Sequence, residues 1–144
     1  MSEESLKQLI ETAKTARLQS IAPFSNFLVG AAVKTEAGKV YTGCNVESAS
    51  YGLTVCAERV AIWKALSEGE RQFTELAIVA DTSTLTPPCG TCRQIIWEFC
   101  KNATIVLGNL RGETQTVSIK ELLPRAFDAR FLSGAAKEHP TDAA

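Results

Sequence analysis

The sequence predicts an α/β fold in which helices flank a β-sheet. Segments with helical spacing of apolar residues alternate with short β-rich apolar runs, and a hairpin opens the series. The 144 residues are enough for one domain with its own hydrophobic core. We expect residues 1–132 to form that domain, and residues 133–144, which offer little apolar surface to bury, to be a mobile tail.

The first half of the chain supplies a helix, a hairpin and a second helix. Apolar residues recur at helical spacing over about residues 5–19, which predicts an amphipathic helix. The β-rich runs 28–34 and 39–45 are joined across a glycine turn and predict a hairpin. Residues 55–67 are apolar on nearly all sides, which predicts a buried helix with Trp63 in the core.

The second half completes the sheet. The continuous apolar run 76–80 predicts a buried strand, and residues 89–100 predict a third helix with Trp97 in the core. Two further strands and a short helix follow: residues 103–107, residues 115–118, and a segment capped by Ser118 that ends at Pro124.

Composition and charge exclude several classes of protein. Fifteen basic and sixteen acidic residues leave a net charge of −1, which argues against a surface for nucleic acid. No apolar run approaches the ~20 residues that span a bilayer. The first residues also lack the basic start and apolar stretch of a signal peptide. We therefore expect a cytoplasmic chain that binds neither nucleic acid nor membrane.

The five cysteines are the main chemical signal, because an odd number in a cytosolic chain favours a metal or catalysis over a disulfide framework. Cys89 and Cys92 follow Pro88 at a predicted helix start, where the helix dipole lowers thiol pKa values. This pair alone fits a metal site and a thiol–disulfide redox pair equally well. The single histidine, His139, lies in the tail, so metal ligands must be mainly cysteines and carboxylates.

A second cluster, at the start of the helix over 55–67, adds a third thiol and a carboxyl group. Cys56 and Glu58 can reach one point only beyond the helix N-terminus, where the first-turn N–H groups are also free. Three thiolates around Zn²⁺ leave an open fourth position, as in catalytic sites, and Arg59 can hydrogen-bond the sulfurs from outside. Water bound there has a pKa of roughly 7, and Glu58 is placed to take its proton.

The alternative for the same cysteines is a closed, structural four-cysteine site. Structural sites usually bring their cysteines in two close pairs, whereas here one pair is joined by the isolated Cys56. Cys100 lies about 12 Å along the third helix from Cys92 at ~1.5 Å per residue. Cys44 is interpreted as a small buried side chain on a strand. We therefore favour the open, catalytic type of site.

The motifs around these residues resemble the small cytidine deaminases, whose zinc sites combine a ligand-x-Glu motif with P-C-x-x-C. The likeness covers about residues 5–132 in order, and cysteine in the first ligand position is typical of the three-cysteine, homotetrameric branch. Phe24 departs from the family, because many relatives have tyrosine there. The stretches that carry the likeness are FSNFLVGAA (24–32), TGCNVE (42–47), ASYGLTVCAER (49–59), PCGTCRQ (88–94) and LLPRAF (122–127).

The resemblance implies a three-layer αβα sandwich around a five-stranded mixed sheet. It implies hydrolytic deamination of free cytidine or deoxycytidine to uridine or deoxyuridine and ammonia, in the cytoplasm and as part of pyrimidine salvage. One zinc ion per subunit would be held by Cys56, Cys89 and Cys92. Zinc-bound hydroxide would attack the amino-bearing ring carbon, while Glu58 shuttles protons to the ring nitrogen and the departing amino group.

For the substrate, the resemblance implies that Asn45 and Glu47 hydrogen-bond the ribose 3′-hydroxyl. Phe27 would pack against the nucleoside, and the backbone N–H of Ala57 would meet the carbonyl of the base. A small-molecule nucleoside is thus the expected partner.

Neighbouring subunits complete the site by the same resemblance. Phe127 would stack on the base in another subunit's pocket, and Tyr51 would border the pocket at a subunit contact. Two alternatives to cytidine deamination stay open. One is a deaminase of a modified cytosine nucleoside or cytosine-like antibiotic, and the other is a thiol redox protein that uses Cys89 and Cys92.

Overall fold

The computed structural model describes residues 2–132 and contains one mixed five-stranded sheet. The predicted tail, residues 133–144, lies outside the described residues. The strands, in chain order, are β1 (Val29–Thr35), β2 (Val40–Cys44), β3 (Phe73–Ala80), β4 (Thr104–Gly108) and β5 (Thr114–Val117). Their order across the sheet is β2-β1-β3-β4-β5. Only β3 and β4 run parallel, and every other neighbouring pair is antiparallel, including the predicted β1–β2 hairpin.

The helices lie where the apolar patterns predict them. They are α1 (Glu3–Arg17), α2 (Ala57–Ser67), α3 (Gly90–Phe99) and α4 (Ile119–Leu122), with 3₁₀ turns at Tyr51–Leu53 and Ala129–Leu132. Helix α3 is the crossover that the parallel β3–β4 pair requires. The predicted capping pattern at the start of α4 is confirmed, because the side chains of Ser118 and Glu121 cap each other's backbone N–H groups.

Two apolar clusters on opposite faces of the sheet make the fold three-layered. On one face, Leu9, Ile10 and Ala13 of α1 pack against small and β-branched side chains of β1, β3 and β4. On the other face, α2, α3 and α4 cover a larger cluster that includes Leu76 and Ile78 of β3. Because successive strand residues point to opposite faces, the run 76–80 serves both clusters and is apolar throughout.

Two glycines allow the helices to lie directly on the hairpin. A Cβ atom at Gly30 would come within 1.9 Å of the Ala13 carbonyl oxygen in α1. A Cβ atom at Gly43 would come within 2.3 Å of the Ala57 carbonyl oxygen at the start of α2. The backbones therefore approach too closely for any side chain, and this contact fixes the start of α2 against β2.

Some sequence predictions differ from the structure. Strand β3 begins at Phe73, three residues before the predicted run. The apolar pattern does not predict this start because the buried Glu75 interrupts it. Its carboxylate accepts a hydrogen bond from Ser5 at 3.0 Å and pairs with Lys34 at 3.9 Å.

The two tryptophans have different environments. Trp97 is buried in the core, as predicted. The core placement of Trp63 is wrong, since 46% of its surface is exposed and Arg59 lies over its ring. Helix α2 is thus buried on one side rather than all round. Among residues 2–132, no helix is long and apolar enough to cross a membrane.

Candidate metal centre and adjoining cavity

The N-termini of α2 and α3 meet at one end of the sheet. Cys56 is the residue before α2 and Cys89 is the residue before α3, and both have extended backbone conformations. Their side chains therefore project beyond the helix ends, where the first N–H groups have no partner within the helix. Cys92, in the first turn of α3, completes the predicted trio.

The three sulfur atoms are close enough to share one metal ion. The ligand atoms of Cys56, Cys89 and Cys92 all lie within 4.8 Å of one another, and the Sγ atoms of Cys56 and Cys89 are 3.7 Å apart. Two thiolates on a tetrahedral zinc ion, with Zn–S bonds of ~2.3 Å, are separated by about 3.8 Å. The observed sulfur positions thus fit a zinc ion with three thiolate ligands.

The other two cysteines do not join this cluster. All five cysteines are free thiols. Cys100 is buried at the far end of α3, and burial raises the pKa of its thiol to about 12. Cys44 is half-buried at the end of β2 rather than fully buried as predicted. A closed four-cysteine site is therefore not what this arrangement provides.

Arg59 lies beside the sulfur cluster, as its position in the sequence indicates. Its Nη2 atom donates toward the Cys56 sulfur at 3.6 Å and the Thr54 carbonyl at 3.5 Å. The Nε atom is buried without a hydrogen-bond partner. Together with the neighbouring Cys92 thiol, Arg59 lowers the pKa of Cys56 to about 5. The cationic side chain thus stabilises negative charge on sulfur before any metal is bound.

Glu58 is held in the first turn of α2 with only 4% of its surface exposed. Burial, together with a smaller effect of the nearby Cys56 thiolate, raises the pKa of its carboxyl group to about 7. A carboxyl group with a pKa near 7 exchanges a proton readily at neutral pH. The site therefore combines a cluster of metal ligands with a buried proton carrier.

A cavity of about 230 Å³ opens onto this cluster. Cys56, Cys89 and Glu58 form one part of its wall, and the predicted contacts Phe27, Asn45 and Glu47 form another. Ala57 also lines it as the first residue of α2, so its N–H has no partner in the helix. The cavity thus brings seven residues from the predicted set to one place.

Asn45 and Glu47 are both held by the backbone just before β1. The Asn45 side chain accepts from the Val29 N–H at 2.9 Å and donates to the Phe27 carbonyl at 2.7 Å. Glu47 accepts from the N–H groups of Phe24 and Ser25 at 2.9 and 3.1 Å. The hydrogen bond from the Ser25 hydroxyl group has the largest effect on Glu47 and lowers its pKa, and the two backbone N–H groups lower the pKa further. The Asn45 amide and the Glu47 carboxylate are therefore both held in place at the cavity wall.

Two predicted contacts do not reach the cavity within this chain. Tyr51 is 75% exposed and makes an edge-on contact with Phe24, with ring centroids 5.9 Å apart. Phe127 is 57% exposed and stacks on Phe131 at 5.7 Å. Among the described residues that line the cavity, neither aromatic side chain is present.

Several residues that line the cavity belong to no motif that indicates a role. Thr86 and Pro87 come from the loop before α3, a stretch whose composition indicates only a loop. Ser25 also lines the cavity, and the sequence shows it only as a polar residue in the loop before β1. A hydroxyl in a turn is most simply a backbone ligand, so its role needs the structure.

Comparisons with known proteins agree with this arrangement. A family model described as the cytidine and deoxycytidylate deaminase zinc-binding region matches residues 3–108. A cytidine deaminase of Halalkalibacterium halodurans is 50% identical over 128 residues, 88% of this chain and 97% of that protein. One of Sporosarcina psychrophila is 46% identical over 134 residues, 92% and 98% of the two chains. The crystal structure of cytidine deaminase from Burkholderia pseudomallei superposes with a TM-score of 0.83 at 47% identity, covering 88% of this chain and all of that one.

Proposed function

The chain belongs to the cytidine and deoxycytidylate deaminase family, and on that premise we propose the reaction and the residues that perform it. It is a zinc-dependent cytidine deaminase, which hydrolyses the exocyclic C–N bond of the nucleoside and releases ammonia. The observation that carries the assignment is the buried Glu58 beside three clustered thiols, at the wall of one nucleoside-sized cavity.

Cys56, Cys89 and Cys92 hold the zinc ion in this proposal, one ion per subunit. When bound, zinc acts as a Lewis acid that makes water a nucleophile at neutral pH. Three thiolates leave a net charge of −1 at the centre, which the Arg59 guanidinium at 3.6 Å from the Cys56 sulfur offsets. The chain thus supplies both the ligands and the counter-charge.

Glu58 moves the protons. Attack at the amino-bearing ring carbon pushes electron density into the ring, so the adjacent ring nitrogen must take a proton at the same time. The Glu58 carboxylate takes a proton from the attacking water and delivers it to that ring nitrogen. It then takes the proton of the newly added hydroxyl group and gives it to the departing amino group, which leaves as ammonia. Its burial, which raises its pKa to about 7, supports both the protonated and the ionised roles near neutral pH.

The other residues orient the nucleoside. Asn45 offers an N–H donor and Glu47 a carboxylate acceptor, the pair that one sugar hydroxyl can satisfy, and we assign them to the 3′-hydroxyl. Phe27 packs against the nucleoside, and the free N–H of Ala57 binds the base carbonyl. Such a set favours nucleosides that carry the hydroxyl, because an analogue without it leaves the Asn45 donor and the Glu47 acceptor without that partner.

A homotetramer completes the site in this proposal. Phe127 and Tyr51 are exposed aromatic side chains that do not line the cavity of their own chain, which supports a role at a neighbouring subunit's pocket. Light scattering should then give four times the 15.5 kDa mass of the chain. A monomer with full activity would contradict this part of the proposal. Cytoplasmic location and a part in pyrimidine salvage belong to the same proposal.

The deciding experiment follows cytidine and deoxycytidine with the zinc-loaded protein, by ammonia release and by the ultraviolet change from cytosine to uracil. We expect turnover of at least one of the two. Turnover only of a cytosine-like antibiotic would instead favour the alternative substrate. Disulfide reductase activity without bound metal would favour the redox alternative.

The metal assignment has a matched pair of variants. Cys92→Ala removes a buried cysteine of the cluster, and Cys100→Ala removes a buried cysteine from the other end of α3. We expect Cys92→Ala to lose stoichiometric zinc and nearly all activity, whereas Cys100→Ala keeps both. Equal zinc content in the two variants would overturn the ligand assignment.

A further inference from the structure

Ser25 makes contacts at the cavity that the proposed mechanism does not use. Its hydroxyl group donates a hydrogen bond to Oε2 of Glu47. The Oγ atom of Ser25 itself accepts a hydrogen bond from the Phe27 N–H at 3.0 Å. Because its acceptor side faces a backbone donor, the hydroxyl hydrogen is directed toward Glu47 and not toward solvent.

Most of the hydrogen-bonding capacity of Glu47 is already occupied. A carboxylate has about four acceptor positions, two on each oxygen. Oε1 accepts from the N–H groups of Phe24 and Ser25, at 2.9 and 3.1 Å, which fills that oxygen. Oε2 accepts from the Ser25 hydroxyl, which leaves one position on that oxygen. Glu47 can therefore accept one more strong hydrogen bond, and its direction is set by Ser25.

Asn45 is constrained in a similar way by the neighbouring backbone. Its amide oxygen accepts from the Val29 N–H at 2.9 Å, and its amide nitrogen donates one hydrogen to the Phe27 carbonyl at 2.7 Å. These two contacts fix which end of the amide is the donor. One N–H of Asn45 remains for a ligand, so the two side chains together offer a donor and an acceptor.

The backbone between Phe24 and Val29 is shaped for these contacts. Asn26 has a φ of 57°, in the left-handed region that asparagine tolerates better than most residues. This turn brings the Phe27 N–H back onto the Ser25 oxygen. The loop thus presents two backbone N–H groups and one hydroxyl group to Glu47.

We propose that Ser25 is a positioning residue that directs the last acceptor position of Glu47 at a single sugar hydroxyl and so sets the enzyme's selectivity for that hydroxyl. The inference rests on the proposed function, because it concerns the nucleoside bound in the same cavity. Ser25 need not touch the substrate for this role. It acts by holding one carboxylate oxygen in place.

The test compares two substrates in three proteins. Wild type, Ser25→Ala and Ser25→Thr are each assayed with cytidine and with 3′-deoxycytidine. For Ser25→Ala we expect about a tenfold rise in KM for cytidine with little change in kcat, which is the loss of about one charge-assisted hydrogen bond. The kcat/KM for 3′-deoxycytidine should not change, so the preference between the substrates falls about tenfold. Ser25→Thr keeps the hydroxyl group and should retain most of the preference.

Ser67→Ala is the matched control. Ser67 is exposed in α2, where its hydroxyl donates to the Lys64 carbonyl at 2.8 Å, away from the cavity. It should leave both substrates unaffected. If Ser25→Ala weakens both substrates equally, or leaves the preference between them unchanged, Ser25 does not set selectivity and the inference is wrong.

A measurement that needs no turnover separates this inference from the proposed function. The Glu47 carboxyl group can be titrated by carbon NMR in wild type and in Ser25→Ala. Ser25 lowers the pKa of Glu47, so the variant should titrate at higher pH. An unchanged titration would overturn the inference. Failure of the wild type to deaminate any cytosine nucleoside would overturn the proposed function, whatever the titration shows.

Discussion

Two glutamates line the same cavity in opposite environments. Glu47 is solvent-accessible and accepts hydrogen bonds from two backbone N–H groups and the Ser25 hydroxyl, which lower its pKa. Glu58 is 4% exposed beside the cysteine cluster, and burial raises its pKa to about 7. The two residues are eleven positions apart in the sequence and have the same side chain.

The difference shows that the surroundings of a glutamate decide whether it serves as a hydrogen-bond acceptor or as a proton carrier. A carboxylate held by several N–H and O–H donors stays ionised and can only accept hydrogen bonds. A carboxyl group in an apolar site keeps or releases its proton near neutral pH. Recognition of a hydroxyl needs the first behaviour and proton transfer needs the second. Exchanging either carboxyl group for an amide should therefore have different consequences at the two positions.

The largest effect is expected from Glu58→Gln. The amide has nearly the same shape but cannot carry the proton, so kcat should fall roughly a hundredfold to ten-thousandfold. Zinc content should be unchanged, because Glu58 is not a ligand in the proposed site. Stopped assays with radiolabelled cytidine can measure the residual rate.

Zinc analysis of the same preparation is the necessary control. A variant that has lost both metal and activity would leave Glu58 as a structural support for the cluster. A variant that keeps its metal and full activity would refute the assignment of Glu58 as proton carrier, and would favour a zinc ion that only stabilises the fold.

The next effect is a pH dependence of stability in the metal-free protein. The pKa of Glu58 is about 7 in the folded chain and near its model-compound value of 4.5 in the unfolded chain. The folded state then binds more protons between these values, so stability falls as pH rises from 4.5 to 7. The fall due to this group is about 3 kcal/mol. Urea unfolding with a chelator, wild type against Glu58→Gln, measures this contribution, because titrating groups that do not interact with Glu58 cancel in the comparison.

The sign of that difference is the critical result. The free energy of unfolding of metal-free Glu58→Gln should exceed that of wild type by little at about pH 4.5 and by most above about pH 7. A difference that does not vary with pH would mean that Glu58 has an ordinary pKa, and the contrast with Glu47 would disappear.

The smallest of the three effects is expected from Glu47→Gln. Replacing an ionised acceptor by an amide should raise KM for cytidine roughly 10- to 100-fold, because hydrogen bonds to charged groups are worth about 1.5–3 kcal/mol. The kcat should change much less than in Glu58→Gln. Steady-state kinetics on cytidine give both constants. An equal loss in kcat would show that Glu47 also takes part in the chemical step.

The fold follows closely from the sequence where the pattern is unambiguous. The hairpin, the apolar run 76–80 and the three longer helices all lie within a few residues of their predicted places. The errors have physical causes. Glu75 interrupts the apolar pattern of β3, so the pattern does not predict the first residues of the strand. The carboxylate can lie in the core because it pairs with Lys34, a contact between residues far apart in the sequence that no local pattern indicates. Trp63 is a residue type that usually packs in a core, but 46% of its surface is exposed and the Arg59 guanidinium lies over its ring.

The site, like the fold, contains some features that local sequence patterns predict and others that they do not. Cysteine spacing and helix starts predict the sulfur cluster and Glu58, because both depend on local geometry at two helix N-termini. The role of Ser25 could not be predicted, because it depends on a turn at Asn26 and on contact with Glu47, 22 residues away. The subunit contacts of Tyr51 and Phe127 stay predictions, since they concern surfaces between chains.

The sulfur cluster also joins α2 and α3, the helices that come before and after β3 in the sequence. Strand β3 is the central strand of the sheet. Cys56 lies before that strand and Cys89 after it, 33 residues further on. A metal ion shared by these thiols is therefore a cross-link that closes a loop around the strand. Closing a loop of this length lowers the chain entropy of the unfolded state by the equivalent of about 4 kcal/mol. Zinc is thus expected to protect the chain against proteases and heat, even in a variant that cannot perform the reaction.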